Sequence, residues 1–127
     1  MNKTIYLDHG ATTPVAKEVI DAMLPYFSED FGIASTDYGH SYGIRAREAI
    51  DQAREILATA INAEPREIVF TSGGTEANIL AIKGAALANQ SKGNHIITSK
   101  TEHSSVLDSY KALKKQGFDV TYIDVDN

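Results

Sequence analysis

Apolar positions recur at helical spacing in some stretches of this chain and as short unbroken runs in others. Val15, Val19, Ile20, Met23, Leu24 and Phe27 lie three or four apart, which predicts a helix packing one face. Pro14 suits its first turn, Thr12 or Thr13 suits its N-cap, and it ends near Pro25 or in the turn after it. Ala46, Ala49, Ile50, Ala53, Leu57, Ala60 and Ile61 predict a second helix over 44–63. Its alanines suit close packing, and Arg45, Arg47, Glu48, Asp51, Arg54 and Glu55 form a solvated remainder. Pro65 breaks the pattern. Ile68, Val69 and Phe70 are β-formers in an unbroken run, the mark of a strand covered on both faces. Ile79, Leu80, Ile82 and Ala86 give the helix after it an apolar stripe. His95–Ser99 predicts a second strand. Val106, Leu107, Tyr110 and Leu113 predict a last helix, closed by Gly117, and a third strand follows over Phe118–Val125. Ser105 and Asp108 have the spacing of a capping box.

From residue 68 the order is therefore strand, helix, strand, helix, strand. Such alternation implies parallel strands joined by right-handed crossovers, an α/β arrangement. Parallel sheets are covered on both faces, and three strands with so few helices barely supply that cover. The pattern reads as the opening portion of a larger α/β domain. Ser28 to Gly43 is the least regular stretch. It carries Gly32, Gly39 and Gly43 among small polar residues, with Tyr38, His40 and Tyr42 between them. A loop of that length is either functional or a surface segment whose aromatics cover the core edge.

The stretch with the most chemistry is Thr71-Ser-Gly-Gly-Thr-Glu76, between the first predicted strand and its helix. Gly73 and Gly74 carry no side chain to block a ligand. Glu76 sits where a helix's first turn tolerates an acid. A helix N-terminus opened by Gly-Gly-Thr presents free N–H groups and a positive dipole end, so Ser72 through Thr75 could grip an anion such as phosphate. Composition alone does not separate this from a turn kept tight for packing. The P-loop pattern and the Gly-x-Gly-x-x-Gly pattern are both absent.

Bulk properties narrow the partners. At 127 residues the chain is one domain at most, and a hydrophobic fraction of 43% is that of a globular protein. The net charge of -5, with no basic run, argues against nucleic acid. The chain has no cysteine, which removes disulfides and a thiol nucleophile from it. The N-terminus is too short and polar for a signal peptide and no apolar run approaches membrane-spanning length, so a cytoplasmic setting is expected. A zinc site built on His9 and His40 is not expected.

Taken in order, several motifs resemble the N-terminal portion of cysteine desulfurases of the NifS/IscS type. These are class V aminotransferases of the fold-type I pyridoxal-phosphate group. Tyr6-Leu-Asp-His-Gly-Ala-Thr-Thr-Pro14 resembles that family's opening Tyr-Leu-Asp-Asn-Ala-Ala-Thr-Thr-Pro. Ala22–Phe27, His40–Gly43 and Ala46–Ala49 also fit. Phe70-Thr-Ser-Gly-Gly-Thr-Glu-Ala-Asn78 is the strongest piece, and Leu80–Gly84, His95–Ser99, Glu102-His103 and Gly117-Phe118 continue it.

The resemblance implies the N-terminal part of the large domain, a partial, mainly parallel sheet flanked by helices. Residues 1–43 would supply a helix and an active-site loop, and 44–127 a helix with the βαβαβ cofactor-phosphate portion. It implies pyridoxal 5'-phosphate as cofactor, with Gly74 and Thr75 on its phosphate and His103 against its ring. Glu102 would support the turn. L-cysteine would be the substrate of the parent enzyme, which is a homo-oligomer serving iron–sulfur assembly. Three departures bear on substrate preference. His9-Gly10 and Ile33-Ala34 replace the family's Asn-Ala and Asn-Pro, and the loop before His40 is about two residues longer by motif alignment. The family's Schiff-base lysine, its aspartate facing the pyridine nitrogen and its persulfide cysteine match no motif here, and Lys83, Lys100 and Lys111 do not stand in the matching context. No catalytic residue is therefore assigned. We expect a portion of the enzyme, such as a split half or a truncated product, that is inactive without the remaining polypeptide or a second subunit. A non-catalytic interaction module docking through helix 44–63, and a class V relative with another amino-acid substrate, are the alternatives.

Overall fold

The computed structural model describes residues 5–35 and 39–126, so Thr36, Asp37 and Tyr38 of the expected loop lie outside the described residues. The chain packs as two units, Met1–Ile68 and Val69–Asn127.

In the first unit, α1 spans Lys17–Met23 and α2 spans Pro25–Ser28. Neither Thr12 nor Thr13 caps α1. The residue at the cap position is Ala16, and the Thr13 hydroxyl donates instead to the Pro14 carbonyl at 3.2 Å. A cap side chain must reach amides two or three residues onward, and the helix starts too late for either threonine. Pro25 starts α2, because a first-turn residue needs no N–H. No residue of α1 is buried, against the expectation that it packs one face. The 3.6-residue repeat sets where an apolar stripe lies; covering it needs a second surface.

Helix α3, Ser41–Ile61, begins three residues before the expected 44. His40 is the reason: its Nδ1 accepts the Gly43 N–H at 3.1 Å and caps the first turn. The helix ends on Asn62 in the left-handed region (φ 55°, ψ 45°), with the Ala63 N–H on the Ala58 carbonyl at 2.9 Å. Its inward line is made of small residues. Ala46 and Ala58 are buried and Ala49 and Ala53 half-buried, whereas Leu57 and Ile61 of the expected face are exposed. The segment before residue 36 is pinned onto this helix. Arg45 pairs with Asp30 at 2.5 Å, Arg47 Nε donates to the Ala34 carbonyl at 2.8 Å, and the rings of Phe31 and Tyr42 lie 5.4 Å apart. A 3-10 turn, Pro65–Glu67, follows, with the Glu64 N–H held by the Glu67 carboxylate at 2.8 Å.

The run Ile68–Phe70 does not form the expected strand. Ile68 is extended (φ -88°, ψ 121°), yet no ladder partner is present among the described residues, and Val69 and Phe70 are exposed. β-propensity expresses a fit to a pleated, half-buried surface, and here no neighbouring strand provides one. The second unit instead holds α4 (Gly74–Ala88), β1 (His95–Ser99), α5 (Ser104–Lys115) and β2 (Asp119–Ile123). The two strands run parallel in register from His95 opposite Asp119 to Ser99 opposite Ile123. β2 is shorter than the expected 118–125 because β1 offers only five residues to pair.

Helices α4 and α5 pack together, and α5 lies on β2. Leu113, Phe118 and Val120 are buried there. The end of α5 explains their placement. Gly117 adopts φ 95°, its N–H reaches the Lys114 carbonyl at 3.2 Å, and the Phe118 N–H reaches the Leu113 carbonyl at 3.2 Å. This Schellman arrangement turns the chain so that Phe118 and Leu113 enter the same core. Ile82 and Ala86 of the expected α4 stripe are half-buried, and Ile79 and Leu80 are exposed.

Candidate functional site

The Gly-rich turn opens α4 with free amides, those of Gly74 and Thr75 among them. Among the described residues, the N–H groups of Gly74 and Thr75 donate to no protein acceptor, and the first amide in the helical ladder is that of Ala77, on the Gly73 carbonyl at 3.1 Å. Those are the orphan donors that any helix start leaves. Space is available beside them: a Cβ built at Gly73 or Gly74 meets nothing within 4 Å. The Thr75 hydroxyl is likewise uncommitted among the described residues.

Ser72 departs from the expected anion grip. Its N–H and its hydroxyl both donate to Glu76 Oε2, at 2.6 and 2.7 Å. The donors that remain for an anion are thus narrower than Ser72 through Thr75. Glu76 does more than tolerate the dipole: it clasps the turn from one helical turn ahead. The Ser72 N–H, then its hydroxyl, hold the Glu76 carboxyl below its ordinary 4.5. A carboxyl depressed on folding contributes stability above its unfolded value and loses it as pH falls through the lower folded value. In an amide NMR titration the Ser72 resonance is expected to move with a midpoint below 4.5. A midpoint at 4.5 or higher would contradict the clasp.

His103 lies at the start of α5 as its cap residue. Its Nδ1 accepts the Ser105 N–H at 3.2 Å and lies 2.8 Å from the Ser105 hydroxyl. The expected capping box between Ser105 and Asp108 does not form, because His103 already occupies that role and Asp108 pairs with Lys111 at 2.8 Å. Asn78, one turn into α4, donates from Nδ2 to Ser105 Oγ at 2.9 Å. This bond ties the N-terminal end of α4, with Gly74 and Thr75, to the N-terminal end of α5, with His103. The link between Asn78 and Ser105 escaped the sequence reading, which placed Ser105 only in a capping box and Asn78 only at the end of a motif. The available signal was a serine two residues after a histidine at a helix start.

The other candidates have local roles. Glu102 has no hydrogen-bond partner among the described residues, and the turn after β1 is held instead by Thr101, whose N–H donates to Ser99 Oγ at 3.2 Å. His9 stands edge-on to Tyr6 at 5.1 Å, and His40 caps α3. Lys100 pairs with Asp124 at 2.7 Å. No group of three metal-binding side chains occurs among the described residues.

A family model described as aminotransferase class-V matches residues 5–127. A relative from Anaeromyxobacter sp. (strain Fw109-5), named "Cysteine desulfurase IscS", is 55% identical over 126 residues, which is 99% of this chain and 31% of the relative. A solved structure described as "SspA in complex with cysteine" superimposes with a TM-score of 0.83 at 47% identity, over 94% of this chain and 34% of that one. A "NIFS-LIKE PROTEIN" superimposes with a TM-score of 0.84 at 34% identity, over 94% and 32%. The chain thus spans about a third of the length of the curated relatives it matches.

Proposed function

The chain belongs to the aminotransferase class V family, and from that premise we propose that it is the cofactor-phosphate portion of a pyridoxal-phosphate-dependent cysteine desulfurase. The observation that carries the reading is the pair of uncommitted amides at Gly74 and Thr75, opening a 15-residue helix with no obstruction beside them. These residues fit the cofactor's phosphate. The two N–H groups and the Thr75 hydroxyl are donors, and the helix dipole favours the phosphate's charge. His103, joined to the same helix through Ser105, would lie against the pyridine ring. When bound, the cofactor supplies an electron sink, and this chain binds and orients it. Residues 1–43 would then contribute a helix and the entrance loop, and residues 44–127 the phosphate portion.

The reaction of the whole enzyme would take sulfur from L-cysteine, leaving L-alanine and a persulfide on a protein thiol that feeds iron–sulfur assembly. This chain holds no cysteine, so the accepting thiol would come from further polypeptide. The same reading implies a cytoplasmic homo-oligomer. Among the described residues no helix is long and apolar enough to cross a membrane.

Titration with pyridoxal phosphate, followed by amide and imidazole NMR, tests the assignment. Gly74, Thr75 and the His103 ring are expected to respond to the cofactor, and Gly74 and Thr75 alone to inorganic phosphate. Thr75→Ala is expected to weaken both ligands about tenfold, the scale of one hydrogen bond to a charged group. Unmoved amides at Gly74 and Thr75 at saturating ligand would refute the reading.

A further inference from the structure

We infer that Asn78 and Ser105 are positioning residues that hold the His103 ring in one tautomer and one plane. The inference rests on the reading that this ring faces the cofactor. Ser105 is 8% exposed, and its hydroxyl lies between two partners, Asn78 Nδ2 at 2.9 Å and His103 Nδ1 at 2.8 Å. The backbone N–H of Ser105 also points at Nδ1, at 3.2 Å. A backbone amide can only donate, so Nδ1 carries no proton and the neutral ring carries it on Nε2. An amide NH2 can only donate as well, so Ser105 Oγ accepts from Asn78 and donates its own O–H to Nδ1.

The direction of the relay is therefore set from its far end. It begins on α4, four residues after Gly74, and ends on the ring at the start of α5. A half-turn of the imidazole would exchange Nδ1 for a carbon and break two hydrogen bonds. The arrangement leaves Nε2–H without a partner among the described residues. A cofactor seated on Gly74 and Thr75 would meet a ring already oriented by the same helix. Ring preorganisation of this kind depends on supporting hydrogen bonds rather than on the ring itself.

Nitrogen-15 NMR of the imidazole in the whole 127-residue chain, without ligand, reads the tautomer directly. The unsubstituted chain is expected to show the Nε2–H form almost alone. Ser105→Ala leaves only the backbone donor, and the ratio of Nε2–H to Nδ1–H is expected to fall about fivefold, the scale of one ordinary hydrogen bond. Asn78→Asp keeps the shape but replaces the donor with a carboxylate. The Ser105 proton should turn toward it, with a similar fall of about fivefold. Circular dichroism checks that each variant folds, and Asn78→Asp decides alone if Ser105→Ala does not. An unchanged ratio in a folded Asn78→Asp chain would overturn the inference. Adding pyridoxal phosphate separates it from the functional reading. A held tautomer on a ring that ignores the cofactor supports the lock and sinks the cofactor assignment instead.

Discussion

Leu113→Ala is expected to destabilise the second unit by about 3 kcal/mol, within the range found for emptying a packed leucine site. Leu113 is 0% exposed, and it shares the core with Phe118 and Val120. Its carbonyl also accepts the Phe118 N–H that closes α5. Truncation opens a cavity where the helix end, the Gly117 turn and β2 meet. That core seats α5, and α5 carries His103 and Ser105. The imidazole lock is therefore expected to loosen along with the fold. Urea unfolding followed by circular dichroism measures the loss. Leu113→Met, which nearly keeps the volume, is expected to lose under about 1.5 kcal/mol. An alanine variant as stable as its parent would mean that the site is not a packed core.

Gly32→Ala is expected to cost about 3 kcal/mol in the first unit, at the upper end of the overpacking range. A Cβ there would lie 2.3 Å from the Tyr42 carbonyl carbon, 2.4 Å from its oxygen and 2.7 Å from the Gly43 nitrogen. All three are backbone atoms of the first turn of α3, so no side chain can swing aside. The segment must lift, and the Asp30–Arg45 pair and the Arg47–Ala34 bond go with it. Thermal unfolding and hydrogen exchange along α3 report the change. Gly10→Ala is the control, because a Cβ there meets nothing within 4 Å. Equal effects at the two glycines would show that the close approach at Gly32 carries no energy.

The two expected losses mark where the primary structure was informative and where it was silent. The helices of the second unit, the strand at His95–Ser99, most of the last strand and the closing glycine at 117 were all legible, because each depends on short-range periodicity or on one residue's backbone preference. The uncommitted amides at the start of α4 were legible for the same reason: they are a local property of a helix opened by Gly-Gly-Thr. Three-dimensional packing decided the rest. Ile68–Phe70 has the composition of a strand but no partner to pair with among the described residues, and pairing is a non-local event. The stripe on α1 was read correctly as apolar, yet no residue of the helix is buried. Glu76 reaching back to Ser72 and His103 capping α5 depend on side-chain direction, which residue spacing does not encode. The bond from Asn78 to Ser105 joins residues 27 apart and exists only because α4 and α5 lie against each other. Local chemistry along the chain set out which groups could act. Contact between distant helices chose which of them meet, since hydrogen bonds need atoms within about 3 Å and periodicity carries no such distance.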